Sequence, residues 1–123
     1  MSKTSQATSS RGAIIISDDE VERAIDYLRD NASKAGRARA EREYMDEYRK
    51  VIKASIMREH ADKPIGAQEA IAYADPRYST HLDVMKEAIE RDEYYRWGRT
   101  AAEAKLSAWQ TMSANNRILD KIK

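Results

Sequence analysis

Both prolines of this chain, Pro64 and Pro76, stand close together near its middle. Proline breaks a helix because its ring removes a backbone donor and collides with the preceding turn. Long stretches on either side of the pair are therefore open to uninterrupted helix. Of four glycines, only Gly36 and Gly98 fall inside those stretches. Composition supports the reading: charged residues make up 35% and hydrophobic ones 41%, much of the latter alanine. That pattern belongs to long helices with a thin apolar seam. The expected class is all-α, with two long antiparallel helices joined by a short helical elbow.

Local signals place the elements. Residues 1–16 are expected to be a flexible Ser/Thr-rich tail carrying the apolar segment GAIII at 12–16. That segment can dock on the chain's own helices or add an edge strand to another subunit. Residues 17–123 form the helical hairpin. Ser17-Asp18-Asp19-Glu20 has the form of a capping box, and its acids suit the positive end of a helix dipole. A helix is expected from about residue 18 to about residue 60, with NASKAG (31–36) as a kink or short break. Val21, Ala24, Ile25 and Leu28 begin its apolar stripe; Tyr44, Tyr48, Val51, Ile52, Ser55 and Ile56 continue it on one face. A short helix is expected over 67–74, ended by Asp75-Pro76, and a last one from there to about 120.

The net charge of +1 conceals segregation. Residues 18–30 carry six acids and two bases, and 34–58 eight bases and four acids. Residues 75–93 carry six acids and three bases, and 96–123 six bases and two acids. Such blocks either pair with one another or gather on a polyanion. Around a helix, Arg39, Arg42, Arg49, Lys50 and Lys53 fall within an arc of about 100° flanking the apolar face. Asp46 lies in that arc and can pair with Arg42 and Lys50. The C-terminal block adds Arg96, Arg99, Lys105 and Arg117.

Catalytic signals are missing. No cysteine is present, and His60 and His81 have no partners at metal-ligand spacing. No nucleophile elbow, phosphate-binding glycine loop or dinucleotide fingerprint occurs. The reading is a non-enzymatic protein with no cofactor and no metal site. No apolar run approaches the ~20 residues of a membrane span. A cytoplasmic location is expected.

Both tryptophans lie in YYRWGRTAAEAKLSAW (94–109). In projection the apolar arc of this segment covers more than half of the helix, whereas packing on one neighbour needs only ~100°. Arg96 and Arg99 project away from most of the rings. The surplus apolar perimeter points to self-association, with Tyr44, Tyr48, Trp97, Leu106 and Trp109 as interface residues.

Three stretches together resemble the UvsY-type recombination mediators of bacteriophages. AIDYLRDNASK (24–34) is similar to the family's first helix. RAEREYMDEYRKVIKASIMREH (39–60) resembles its long basic helix, and YYRWGRTAAEAKLSAWQTMSANNR (94–117) its aromatic C-terminal helix. The family's Lys-Ala-Arg step for single-stranded DNA resembles Lys53-Ala54-Ser55, where Ser55 departs from the pattern and Arg49, Lys50 or Arg58 would substitute. The resemblance implies a ring-like homo-oligomer that binds single-stranded DNA and helps load a recombinase. Its partners would be a single-strand-binding protein and a strand-exchange or annealing recombinase. The expected DNA-binding set is Arg39, Arg42, Arg49, Lys50, Lys53, Arg58, Arg96 and Arg99. The alternative is a structural or adaptor helical oligomer whose charges pair internally.

Overall fold

A computed structural model of the chain describes residues 15–122. Three helices follow in order: α1 (Asp18–Glu59), α2 (Ile65–Ala74) and α3 (Pro76–Ile122). They account for 92% of the described residues, which include no strand. The start of α1 is a closed capping box. Ser17 N–H donates to Glu20 Oε1 at 3.0 Å, and Glu20 N–H donates to Ser17 Oγ at 3.1 Å. The Ser17 amide is the first of the forces that hold the Glu20 carboxyl below its ordinary range. Helix α1 then runs through NASKAG without a break. Gly36 and Asn31 are weak helix formers, but the residues around them are not, and propensity yields to context.

The elbow is built by its prolines. Pro64 is extended (φ −60°, ψ 154°) and its carbonyl accepts from Gln68 N–H at 3.0 Å. The Gln68 side chain donates to Lys63 O at 2.7 Å, so this buried amide is satisfied by the loop it closes. Asp75 is extended (ψ 134°), as the residue before a proline must be, and Pro76 occupies the first position of α3, where its missing N–H costs nothing. Arg77 clamps the corner: it donates twice to Glu59, at 2.8 Å each, and to both oxygens of Asp75. These bonds, led by the Arg77 side chain, hold the Asp75 carboxyl down at about 2.

The described residues divide into two compact units, one running from Asn31 to Trp97 and the other made of residues up to Asp30 with those from Gly98 onward. Within the Asn31–Trp97 unit the long helices are antiparallel: Arg42 reaches Asp92, His81 contacts Met45 O, and Arg49 reaches Tyr78. Among the buried and half-buried positions of α1 here, one series is spaced alternately by three and four residues: Ala35, Ala38, Arg42, Met45, Arg49, Ile52 and Ile56. On α3 the same spacing picks out Tyr78, His81, Met85, Ala88, Asp92 and Tyr95. This is the heptad seam of a coiled coil. In the other unit Val21, Ala24 and Leu28 make the α1 side of the seam, with Ala102, Leu106 and Trp109 on α3. Ile16 is buried and Ile15 exposed; the rest of GAIII lies outside the described residues.

Five of the nine buried apolar residues are alanines, which is why the seam is thin. Ile56 is the one large side chain fully buried among the described residues. Polar groups fill the remaining seam positions, and each finds a partner. His81 Nε2–H donates to Met45 O at 2.6 Å, and no buried side-chain polar atom among the described residues is left without one. Polar seam residues cost stability but specify register. Tyr44, Tyr94 and Trp97 stay more than 60% exposed.

Candidate nucleic-acid interface

Most of the expected DNA-binding cations are already engaged. Arg39 donates to Glu43 at 2.7 Å, one turn along α1. Arg42 crosses to α3 and donates to Asp92 at 3.1 Å and Glu93 at 2.9 Å. Arg42, then Trp97, are the hydrogen-bonding partners that hold the Glu93 carboxyl below its ordinary range. Arg49 donates to the Tyr78 hydroxyl and to Asp46, both at 3.4 Å. Lys50 faces Glu47 at 3.3 Å. Lys53 donates to the Tyr73 hydroxyl at 2.9 Å and to Glu69 of α2 at 3.3 Å, and lies 4.7 Å from the Tyr73 ring centre. Arg58 and Arg99 are exposed and hold no carboxylate among the described residues.

One local expectation is corrected and one is refined. Asp46 pairs with Arg49 instead of Arg42 or Lys50, because Arg42 sits on the seam and is drawn across to α3. Arg96, which projects away from most of the rings, does meet one of them: its guanidinium lies 5.8 Å from the Trp97 ring and 3.3 Å from Glu93. Adjacent residues on a helix diverge at Cβ, but a long arginine folds back over its neighbour.

The expected interface residues separate into two groups. Tyr44 and Tyr48 stack at 5.8 Å on the exposed side of α1, and Tyr48 leans on His81 at 5.7 Å. Trp97 is 61% exposed and its indole N–H donates to Glu93 at 2.9 Å. Leu106 and Trp109, by contrast, are half-buried at seam positions of their own unit, where Trp109 N–H donates to Asp18 at 3.3 Å.

Another cationic group emerges from the geometry. A shallow groove of about 270 Å³ in the Asn31–Trp97 unit is lined by Lys34, Arg37, Ala38 and Glu41 of α1 and by Arg91 and Tyr95 of α3. Lys34, Arg37 and Arg91 are exposed, and none holds an ion pair among the described residues. The signal for the α1 pair was readable: residues 31–40 contain no carboxylate. Arg91 was not readable, since it belongs to an acidic block and only helix pairing brings it to the groove.

Among the described residues, no group of His, Cys, Asp or Glu is arranged to hold a metal ion. No described helix is long and apolar enough to cross a membrane. Comparison with protein families, with curated proteins and with solved structures finds no match to this chain.

Proposed function

We propose that this protein is a non-enzymatic, single-stranded-DNA-binding protein that works as a homo-oligomer, in the manner of a phage recombination mediator. The observation that carries the reading is charge accounting. After the internal ion pairs are formed, Lys34, Arg37, Arg58, Lys86, Arg91, Arg99, Arg117 and Lys121 remain exposed with no carboxylate held among the described residues. Exposed cations of this kind neutralise phosphates and release counterions, which makes affinity fall steeply with salt. The unspent apolar surface at Tyr44, Tyr48 and Trp97 supports assembly of several copies, which would array those cations around one strand. The recombinase-loading role and its protein partners rest on the sequence resemblance alone.

Fluorescence anisotropy of a labelled oligothymidylate, titrated at several salt concentrations, tests the DNA reading. Binding that weakens log-linearly with salt supports it; no binding at low salt refutes it. Light scattering of the wild type and of a Tyr44→Ser/Trp97→Ser variant tests assembly. A monomeric wild type sinks the oligomer.

The adaptor reading draws support from the ion pairs that cross between elements: Arg42 to Asp92 and Glu93, Lys53 to Glu69, and Arg77 to Glu59. It predicts an assembly indifferent to DNA. Charge reversal at Arg42, Arg49 and Lys53 does not discriminate, because it breaks the fold's own contacts under either reading. The wild type at low salt does: it binds the strand under the first reading and ignores it under the second.

A further inference from the structure

We propose that the groove between Lys34, Arg37 and Arg91 is a nucleotide subsite, with a phosphodiester on the three cations and its base against Tyr95. The proposal rests on the DNA reading above and says where and how one nucleotide is held. Three facts meet there. The cations come from two helices and converge on one concavity. None holds a carboxylate among the described residues, so no internal ion pair has to break before a phosphate enters. An aromatic ring lines the same groove, and every base offers a π-face to such a ring.

Glu41 is the one acid in the lining. It lies one turn from Arg37, yet the two form no ion pair among the described residues. As part of the lining it opposes an anion in the groove by simple Coulomb repulsion. The groove therefore carries three positive groups and one negative group, and its affinity can be raised as well as lowered by substitution. That permits a test that misfolding cannot imitate.

The measurement is anisotropy of a short fluorescein-labelled oligothymidylate with the full chain, across about 50 to 200 mM salt. Neutralising the cations (Lys34→Gln, Arg37→Gln, Arg91→Gln) is expected to weaken binding on the order of 10- to 100-fold and to flatten the log–log salt slope by about 0.7, the value for one phosphate contact on a single strand. Glu41→Gln is expected to tighten binding about two- to fivefold. Tyr95→Leu keeps an apolar seam residue but removes the ring. It is expected to cost about fivefold or more against oligothymidylate and much less against an abasic deoxyribose-phosphate strand of equal length. Helicity by circular dichroism accompanies each variant.

The ways of failing are distinguishable. A wild type that binds no strand at any salt overturns both the DNA reading and this site. A wild type that binds with salt dependence, beside a triple variant of equal affinity and slope, overturns the subsite and leaves the DNA reading standing. An equal loss on both strands for Tyr95→Leu, or no tightening in Glu41→Gln, overturns the assignment of ring and carboxylate.

Discussion

Gly98 lies in the middle of α3, where alanine is ordinarily better by about 1 kcal/mol. The structure reverses that expectation. A Cβ at Gly98 would land on the Tyr27 hydroxyl, with Tyr27 Cζ at 2.8 Å and Cε2 at 3.3 Å. The absent side chain lets the half-buried tyrosine of α1 lie against the α3 backbone, both within the same unit. Gly98→Ala therefore gains helix propensity but forces the ring to shift. Overpacking of this kind costs about 1–3 kcal/mol, so the net result is a loss of roughly 0–2 kcal/mol. In a Tyr27→Ala background the clash is gone and the same substitution should stabilise by about 1 kcal/mol. The sign of the effect of Gly98→Ala thus depends on Tyr27, with a coupling of about 1–3 kcal/mol. Urea denaturation followed by circular dichroism, at one protein concentration so that assembly is held constant, measures all four corners of the cycle. If Gly98→Ala stabilises equally in both backgrounds, the ring moves at no cost and the close-approach argument is wrong.

Other outcomes follow from the same geometry. Asp75 is held down from 3.8 to about 2, so its contribution is present above pH 3.8 and lost as pH falls towards 2. Wild type should therefore lose stability across that window, and Asp75→Asn should lose less of it, as read by acid titration of helicity. Ile56→Ala, at the fully buried position, should cost about 2–5 kcal/mol in urea denaturation, while Val51→Ala, at a half-exposed one, stays within about 0.5. Arg42→Ala leaves Asp92 without its guanidinium on the seam and should cost about 1–3 kcal/mol; Arg39→Ala, which loses one exposed pair, should leave the urea midpoint where it was.

Much of the fold was legible residue by residue. Ser17 and Glu20 announce a helix start because their reciprocal bonds are local and need no tertiary partner. Pro64 and Pro76 announce the elbow because their constraints are covalent. The site was less legible. Helical projection placed Arg39, Arg42, Arg49, Lys50 and Lys53 on a common arc, but projection knows nothing of the opposite helix. Arg42 is spent on Asp92 and Glu93, and Lys53 on Glu69, across connections no periodicity encodes. Lys34 and Arg37 stand in a window, residues 31–40, that contains no carboxylate, and that local shortage of acids was the one sequence signal pointing to them.

The amino-acid order alone decided that this chain is helical, where its helices begin and end, and that its core would be thin. Those properties follow from backbone sterics, local capping and the scarcity of bulky apolar residues. Only the paired helices decided that Arg42 is neutralised by Asp92 and Glu93, that Gly98 lies against Tyr27, and that Arg91 joins Lys34 and Arg37. Each of these depends on residues far apart in the chain being set within a few ångströms by the packing of the seam.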